Sequence, residues 1–329
     1  MTTWHAFVTG ATGFTGGALC RRLLAAGHPV TALVRPTADG TALERLGVRI
    51  ARGDLRDPQA VQQGMIGTEV VFHIGAAWRA INLTDQEYFD VNVTGTRNVV
   101  EGAARAGVRR VVHCSSIGVH GDTGRNAANE NSPFAPPDYY CRTKLEGELL
   151  AREAFERFRL EGVVFRPLGI YGPGDTRFLK LFRALRRNRF MMIGDGSTLY
   201  HMTYIEDLCD GILLCAEKSE AAGQVFMLGG ERHTTLKDLV AAVAQAVGST
   251  GPRLRVPIGP VMALARLCEK ICLPLGVEPP LYPRRVEFFN KNRAADISNA
   301  RRTLGYSPQV SLEEGARLTA RWYQAKDLL

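Results

Sequence analysis

Short apolar runs alternate with longer segments of helical periodicity through the first half of the chain. Few polar residues interrupt these runs, a pattern typical of strands buried on both faces of a parallel sheet. Strands are expected at residues 6–9, 30–34, 48–50, 70–73, 110–114 and 163–166. Helices are expected at residues 12–27, 85–106, 178–189 and 234–247 and from about residue 140. The alternation predicts an α/β fold of the Rossmann type, with a doubly wound parallel sheet.

The alternation becomes irregular after the sixth expected strand. We expect residues 1–166 to form an NAD(P)-binding Rossmann domain, to which the chain returns at about 203–233 with a further strand at 224–227. Residues 167–202 and 234–329 are expected to form a smaller C-terminal substrate-capping domain.

A glycine-rich turn follows the first expected strand and places Gly10, Gly13 and Gly16 three residues apart. Gly10 permits a tight turn, Gly13 lets a ligand approach the backbone, and Gly16 lets helix and strand pack closely. Unpaired amides and the positive end of a helix bind phosphate. We therefore predict that this turn, with Thr12 and Phe14, binds the pyrophosphate of a dinucleotide. The alternative is a surface turn that happens to be rich in glycine.

Composition and charge narrow the class of protein. Apolar residues make up 45% and charged residues 22% of the chain, as in an ordinary globular protein. No run approaches the ~18 apolar residues of a membrane span, and no signal-peptide pattern is seen. We therefore expect a cytoplasmic protein without a membrane span, with peripheral membrane contact left open. The formal charge of +8 comes without a nucleic-acid motif, which favours an anionic cofactor over a nucleic-acid partner.

Metal-binding patterns are also missing from the sequence. The seven cysteines are scattered, and no two have the spacing of a zinc site. His113, His120 and His201 lack metal-ligand spacing as well. We expect reduced thiols and no metal.

A phenol and an ammonium group lie four residues apart at Tyr140 and Lys144, on one face of an expected helix. A nearby cation favours the phenolate and pulls the pKa of tyrosine, ordinarily about 10, towards neutral pH. Tyr140 could then exchange the hydroxyl proton of a substrate beside a nicotinamide, while Ser116 hydrogen-bonds the same oxygen. A lone Tyr–Lys pair would more often be a surface contact. The glycine turn and the Ser115–Ser116 strand end favour catalysis here.

The end of the second strand bears on the choice of dinucleotide. An acid there commonly binds the 2′-hydroxyl of NAD, whereas an arginine accommodates the 2′-phosphate of NADP. Arg35 occupies this position, and no carboxylate follows before Asp39. We therefore predict that NADP(H) is favoured. NAD(H), bound through Asp39 or a backbone amide, is the alternative.

Together these motifs resemble the extended short-chain dehydrogenases/reductases, a superfamily that includes NAD-dependent epimerases and dehydratases, dihydroflavonol reductases and 3β-hydroxysteroid dehydrogenases. The resemblance covers nearly the whole chain and implies a homodimer with a small-molecule substrate. Besides the glycine turn and the Ser-Tyr-Lys set, it rests on Asp54 with Leu55, His73 to Ala77, Asn92, Arg166 to Pro173, Asp207, and Leu304 to Pro308.

The resemblance also implies which residues contact the ligands. Asp54 and Leu55 would border the adenine, and Pro167 to Gly169 would pass near the carboxamide. The implied cofactor residues are Gly10, Thr12, Gly13, Phe14, Gly16, Arg35, Asp54, Leu55, Ala76, Ala77, Asn92, Ser115, Tyr140, Lys144, Pro167 and Gly169. The expected substrate residues are Trp78, Arg79, Ile117, Tyr171 and Tyr200. Trp78 could equally be a packing residue.

Two departures from the nucleotide-sugar members narrow the substrate class. Gly169 stands where those enzymes often carry a phosphate-holding Asn, and Tyr200 stands where they carry an Arg, although the basic cluster at 183–189 could compensate. The dehydratases have acids after the strand-end serine or threonine, and none follows Ser116. The chain is therefore closest to the 3β-hydroxysteroid and sterol dehydrogenase-like branch. The apolar stretch 261–281 fits either a cover for a lipid-like alcohol or an ordinary core helix.

We therefore expect an NAD(P)-dependent oxidoreductase that interconverts a secondary alcohol and a ketone on a bulky, sterol- or isoprenoid-like substrate. Two alternatives stay open. One is a nucleotide-sugar epimerase with tightly bound NAD. The other is a non-catalytic dinucleotide-binding sensor, against which the intact Ser-Tyr-Lys set argues.

Overall fold

Seven parallel strands form the central sheet of the computed structural model, which describes residues 3–78, 83–277 and 279–329, with only the backbone at residue 284. They are β1 (Ala6–Thr9), β2 (Val30–Val34), β3 (Arg49–Arg52), β4 (Val70–His73), β5 (Arg110–Cys114), β6 (Glu161–Pro167) and β11 (Val225–Leu228). The short pairs outside this sheet are β7 (Gly169–Tyr171) with β10 (Met202–Tyr204), β8 (Met191–Ile193) with β13 (Leu254–Val256), and β9 (Leu199–Tyr200) with β12 (Thr234–Thr235).

The order of strands across the sheet is β11-β6-β5-β4-β1-β2-β3. The direction of winding reverses between β1 and β4, which creates the crevice where doubly wound sheets bind ligands. The predicted Rossmann-type fold is confirmed. The strand expected at 224–227 is β11, which pairs in parallel with β6 at one edge of the sheet.

The helices connect the strands and cover the sheet. They are α1 (Phe14–Ala25), α2 (Thr41–Arg45), α3 (Pro58–Gly64), α4 (Asp85–Phe89), α5 (Gly95–Arg105), α6 (Tyr139–Phe158), α7 (Leu179–Arg186), α8 (Ile205–Glu217), α9 (Leu236–Ala246), α10 (Ile258–Cys272), α11 (Pro283–Val286), α12 (Ser298–Leu304) and α13 (Leu312–Ala325). Short 3₁₀ turns lie at Ile117–His120, Ser219–Ala221, Leu273–Leu275 and Glu287–Phe289. Among the described residues, no helix combines the length and the apolar character needed to cross a bilayer.

Apolar residues on successive strand positions enter two different clusters. Phe7 packs in one cluster and Val8 in the other, since neighbouring side chains of a strand point to opposite faces. A further cluster joins α7, α9 and α13, where Phe182 meets Tyr323 edge to face at a centroid distance of 5.1 Å. Both faces of the sheet are therefore buried, as the uninterrupted apolar runs of the sequence predict.

Several predicted elements differ from the structure. The helix expected at 85–106 is interrupted, because a π-helical segment, Asp90–Thr94, separates α4 from α5. The third strand starts one residue later than expected, at Arg49. The helix expected at 234–247 is preceded by the strand β12, and the Thr235 side chain caps α9 by accepting the Asp238 N–H. The pattern of apolar residues does not reveal π-helical hydrogen bonds or capping side chains.

A buried ion pair links the sheet to the helix that follows the long loop at 121–137. Arg166 on β6 donates to both carboxylate oxygens of Glu148 on α6, at 3.0 and 2.5 Å, and neither side chain is exposed. Arg166 Nη1 also donates to His120 Nε2 at 2.9 Å and to the Glu130 carbonyl at 3.1 Å. A single guanidinium therefore ties together β6, α6, a 3₁₀ turn and the loop.

We expect Arg166→Met to lower the free energy of unfolding by about 3–5 kcal/mol, because it leaves the Glu148 carboxylate buried without its partner. The double variant Arg166→Met/Glu148→Leu should recover much of that loss, since it removes both charges. Urea unfolding followed by circular dichroism measures both. A single variant with wild-type stability would contradict this account of the ion pair.

Candidate active site

The glycine turn brings three stretches of backbone into close contact. Gly10 has φ 71°, and a Cβ atom added there would lie 2.7 Å from the backbone of Gly75, beyond the end of β4. A Cβ atom on Gly16 would lie 2.3 Å from the Gly10 carbonyl oxygen. Gly13 is the N-cap of α1 and provides no capping side chain. The first amides of α1 are thus available to a phosphate group, and the turn fits a dinucleotide pyrophosphate.

A chain of hydrogen bonds fixes the end of β4 behind this turn. The Gly75 N–H donates to Thr9 Oγ1 at 3.0 Å, and Thr9 Oγ1 lies 2.8 Å from His73 Nδ1. On the other side, His73 Nε2 lies 3.0 Å from Thr96 Oγ1, which donates to the Asn92 carbonyl. These partners require a neutral His73 with its proton on Nε2. Complete burial lowers the pKa of His73 to about 3, so the network is unchanged at neutral pH.

Asn92 is held by the π-helical segment and uses its amide to position other residues. Its Oδ1 accepts the Ala77 N–H at 2.8 Å, and its Nδ2 donates to the Ala77 carbonyl and to Thr143 Oγ1. Asn92 therefore has a positioning role in the structure, and its predicted contact with the cofactor stays a prediction. Asn92 ties the loop of Ala76 and Ala77 to the helix that carries Lys144. π-Helical segments often occur where a side chain must be aimed in this way.

Leu55 and Asp54 lie close to the same edge of the sheet. Leu55 covers both Gly75 and Gly95, where added Cβ atoms would approach its side chain at 2.9 and 3.0 Å. The Asp54 carboxylate accepts two hydrogen bonds from Arg56, at 2.8 and 3.0 Å. Those bonds outweigh burial and hold the pKa of Asp54 below its ordinary value. Leu55 thus provides an apolar surface and Asp54 a permanent negative charge beside the crevice.

Lys144 is buried, and its ammonium group donates to the Cys114 carbonyl at 2.7 Å. Burial lowers the pKa of Lys144 from its ordinary value. His113 lies near it and is fully buried, which keeps the pKa of that imidazole well below its usual range. Within the described part of the chain, Ser115 Oγ is buried without a hydrogen-bond partner. An unpaired hydroxyl at this place fits the predicted contact with a cofactor, because buried polar groups normally find a partner.

A tight contact joins the 3₁₀ turn that follows Ser116 to the start of α6, where Tyr140 lies. Ser116 Oγ accepts the Gly118 N–H at 3.0 Å. A Cβ atom on Gly118 would lie 2.8 Å from the sulfur of Cys141, the neighbour of Tyr140. The Asp138 carboxylate caps α6 by accepting the Cys141 N–H at 2.8 Å. Tyr140 is half-buried and meets the ring of Tyr88 edge to face, with the centroids 6.3 Å apart.

Two arginines lie where the neighbouring strands β2 and β3 end, and the nearest following acid forms a local hydrogen bond. Arg35 is exposed, and Arg52 at the end of β3 donates to the Ala38 carbonyl at 2.8 Å. Asp39, the nearest following acid, accepts the Thr41 N–H at 2.9 Å. A hydrogen bond from the Thr41 side chain and, second to it, this backbone hydrogen bond lower the pKa of Asp39.

Arg177 is a residue that the sequence analysis missed. Its guanidinium carbon lies 5.3 Å from the ring centroid of Phe14 in the glycine turn and 5.5 Å from that of Trp78. Asp175, which is almost fully buried, accepts from Arg177 Nε at 2.7 Å, and the Ile170 carbonyl accepts from Nη2 at 2.8 Å. The arginine thus joins the cofactor turn to a predicted substrate residue. The sequence Gly-Asp-x-Arg around Arg177 does not predict these contacts, because both aromatic partners are distant in sequence.

The predicted substrate residues do not form one group. Trp78 is 46% exposed beside Arg177, and Ile117 is buried next to Ser116. Arg79 lies outside the described residues. Tyr171 and Tyr200 are packed in the cluster of α7, α9 and α13, and Tyr200 donates to the Phe288 carbonyl at 2.5 Å. Burial raises the pKa of Tyr200 to about 12. The structure therefore shows these two side chains in packing contacts, and their predicted contact with the substrate stays a prediction.

Pro167 and Gly169 lie where β6 passes into β7. Pro167 is the last residue of β6, and the Gly169 N–H donates to the His201 carbonyl at 2.9 Å. A Cβ atom on Gly169 would lie 2.8 Å from the sulfur of Met202, so an Asn does not fit without rearrangement.

Thr12 is exposed in the glycine turn. Among the described residues, no group of His, Cys, Asp and Glu side chains could hold a metal ion.

The sequence profile of the NAD-dependent epimerase/dehydratase family matches residues 6–229, the segment that contains the glycine turn, Ser116, Tyr140 and Lys144. The chain belongs to this family. The predicted resemblance to extended short-chain dehydrogenases/reductases is confirmed, as is the prediction of an NAD(P)-dependent enzyme of this type.

Relatives of this family member include sterol-related proteins. Isoform 1 of the 3β-hydroxysteroid-dehydrogenase/decarboxylase of Arabidopsis thaliana is 35% identical over 302 residues, which are 85% of this chain and 68% of the plant protein. Sterol demethylase protein B of Methylococcus capsulatus is 33% identical over 98% of this chain and 99% of that protein. A 2-alkyl-3-oxoalkanoate reductase of Stenotrophomonas maltophilia is 34% identical over 94% of this chain and 96% of the reductase.

Solved structures share the fold of the family member over almost its whole length. The crystal structure of gox2253 has a TM-score of 0.84 and 26% identity, and covers 98% of this chain and 99% of that one. The structure of MoeE5 in complex with UDP-glucuronic acid and NAD has a TM-score of 0.74 and 26% identity, with the same coverage of 98% and 99%.

Gly16→Ala tests the geometry of the turn. The added methyl group must displace the Gly10 carbonyl, and backbone strain of about 1–3 kcal/mol should weaken dinucleotide binding about 10- to 100-fold. Gly102→Ala is the matched control, because it lies within α5 and its added carbon would meet Val61 at an ordinary 3.5 Å. Calorimetric titration with NADP(H) and NAD(H) measures both variants. Wild-type affinity in Gly16→Ala would contradict the assignment of the turn.

Proposed function

We propose that this enzyme interconverts a secondary alcohol and a ketone on a bulky, apolar substrate, with a nicotinamide dinucleotide as the redox partner. The observation that carries the proposal is the buried ammonium of Lys144 one helical turn from Tyr140, with the Ser116 turn packed against the start of the same helix. A surface Tyr–Lys pair would not need a buried cation.

The chemistry assigns one task to each side chain. The nicotinamide supplies or accepts the hydride when the cofactor is bound. Tyr140 Oη gives the proton to the ketone oxygen during reduction, or takes it from the alcohol during oxidation. Ser116 Oγ donates a hydrogen bond to that oxygen and orients it. Lys144 Nζ stabilises the Tyr140 phenolate by its charge and binds the cofactor ribose.

We propose that residues 1–166, with 203–233, bind the cofactor and that 167–202 and 234–329 cover the substrate. Relatives named for 3β-hydroxysteroids and for 2-alkyl-3-oxoalkanoates support an apolar alcohol or ketone. A homodimer and a cytoplasmic location stay predictions.

The structure of MoeE5 with UDP-glucuronic acid and NAD favours a second candidate, a nucleotide-sugar epimerase. Such a substrate needs a cationic clamp for its diphosphate. Gly169 provides no side chain, and Tyr200 cannot neutralise a phosphate. Arg293 is the nearby cation, but its Nη1 donates to Tyr200 Oη at 2.8 Å and its guanidinium lies against that ring. These contacts favour the redox reaction over epimerisation.

Tyr140→Phe is expected to lower kcat at least about 100-fold, because the ketone oxygen loses its proton donor, while cofactor affinity is unchanged. Tyr139→Phe is a close control, since Tyr139 precedes it on α6 and meets the same Tyr88 ring at 6.4 Å. The assay follows nicotinamide absorbance with cyclic and acyclic ketones, and parallel reactions contain UDP-sugars.

Equal loss in the Tyr139 and Tyr140 variants would remove Tyr140 from the proposed role. Conversion of a UDP-sugar to its epimer without net nicotinamide oxidation would replace the redox proposal by the epimerase. Tight cofactor binding without turnover of any ketone, alcohol or UDP-sugar would favour the non-catalytic sensor.

We infer further that NADP(H) is the preferred dinucleotide. The exposed guanidinium of Arg35 follows β2, and Arg52 lies beside it at the end of β3. A 2′-phosphate placed there would gain a charge-assisted hydrogen bond and would meet no free carboxylate, since Asp39 caps Thr41.

Arg35→Ala should weaken NADP(H) binding about tenfold or more and leave NAD(H) binding nearly unchanged, because only the former carries the 2′-phosphate. Arg45→Ala, which removes another exposed arginine on α2, controls for the change in net charge. Titrating the wild type and both variants with NADP(H) and with NAD(H) measures these affinities. Tighter wild-type binding of NAD(H), or a parallel loss for both dinucleotides, would show that Arg35 does not set specificity.

A further inference from the structure

Arg177 contacts both loops that flank the crevice between β1 and β4. Its guanidinium carbon lies 5.3 Å from the ring centroid of Phe14, the first residue of α1, and 5.5 Å from that of Trp78, in the loop after β4. Gly174 also lies against Phe14, because a Cβ atom added there would be 3.3 Å from its ring. The segment 172–177 therefore contacts the start of α1, where the first amides are available to a phosphate group.

The guanidinium of Arg177 is fixed along one edge. Asp175 is 2% exposed, and its Oδ1 accepts from Arg177 Nε at 2.7 Å and from the Arg177 backbone N–H at 2.9 Å. The Ile170 carbonyl accepts from Nη2 at 2.8 Å. These bonds use the edge formed by Nε and Nη2, whereas Nη1 donates to none of the described residues. The side chain is 33% exposed, so the fixed arginine keeps donors that a ligand can reach.

Positive charge beside the proposed phosphate site comes from outside the glycine turn. The turn, residues 10–16, and the loop after β4, residues 74–78, contain no basic residue in the sequence. Arg177 is the basic residue of the segment 169–177. Backbone amides and a helix N-terminus supply only partial charges. An arginine that contacts both loops adds a full positive charge, and a charge-assisted hydrogen bond to phosphate is stronger than a neutral one.

We propose that Arg177 is a cofactor-binding residue, whose Nη1 donates a hydrogen bond to the pyrophosphate of the bound dinucleotide. This inference rests on the proposed dinucleotide site at the glycine turn. Phe14 and Trp78 hold the guanidinium through cation–π contacts, and Asp175 holds its other edge. Because Arg177 belongs to residues 167–202, which we propose to cover the substrate, the bound cofactor would tie that portion to the crevice.

Calorimetric titration with NADP(H), NAD(H), ADP-ribose and adenosine tests this proposal. Arg177→Met should weaken the binding of both dinucleotides and of ADP-ribose about tenfold or more, because all of them carry the pyrophosphate. Binding of adenosine, which lacks it, should change less than about twofold. Arg177→Lys keeps the charge without the planar fork and should give intermediate affinities. Added NaCl should reduce the difference between the wild type and Arg177→Met, since salt screens the lost charge.

Arg157→Met is the matched control. The guanidinium of Arg157 also lies against a phenylalanine ring, 5.2 Å from the centroid of Phe158, at the end of α6 remote from Tyr140. This variant should bind every ligand like the wild type, and circular dichroism should show that all variants are folded.

Wild-type affinity of Arg177→Met for the dinucleotides would overturn this proposal and leave the proposed function intact. An equal loss for adenosine would also overturn it, because it would show that Arg177 shapes the site without contacting the pyrophosphate. Absence of binding of any dinucleotide to the wild type would overturn both the role of Arg177 and the proposed function.

Discussion

The close approach of Gly10 to Gly75 is the contact on which the rest of the site depends. With no Cβ atom on either residue, the end of β1 and the end of β4 lie against each other at the reversal of the sheet. Thr9 then reaches the Gly75 amide, His73 reaches Thr96, and Leu55 covers the glycine pair. A side chain at this place would separate two strands and would break each of these contacts in turn.

Two buried basic side chains differ in how they are compensated. Arg166 is paired with Glu148, whereas Lys144 donates to a backbone carbonyl and forms no ion pair with a carboxylate among the described residues. The first arrangement stabilises the fold, since both charges are satisfied. The second leaves an ammonium group available to a neighbouring phenol and to a ligand. The difference between the two partners agrees with a structural role for Arg166 and with the role that we propose for Lys144.

The sequence was sufficient for the sheet, because its strands are unbroken apolar runs. The roles of the glycine turn and of the Ser-Tyr-Lys set stay predictions from local spacing. The sequence was insufficient for Arg177 and for the role of Asn92. Arg177 acquires its partners Phe14 and Trp78 only when distant loops meet, and the aim of Asn92 depends on a π-helical hydrogen-bond pattern. The packing contacts of Tyr171 and Tyr200 were also not predictable, because a tyrosine near a motif looks the same in sequence whether it faces a ligand or a packed core.

The π-helical segment Asp90–Thr94 lies between α4 and α5, so the number of residues in it matters for the site. A π turn holds one residue more than an α turn of similar span, so the residues after it are rotated by about 100° relative to those before it. Upstream, Tyr88 meets the ring of Tyr140; downstream, Gly95 lies under Leu55. Deleting one residue from the segment would restore a regular α-helix. Only one of the two flanking helices, α4 or α5, could then keep its present contacts with neighbouring residues. The number of residues in the segment, and not only their side chains, therefore determines which contacts both ends of the helix can make.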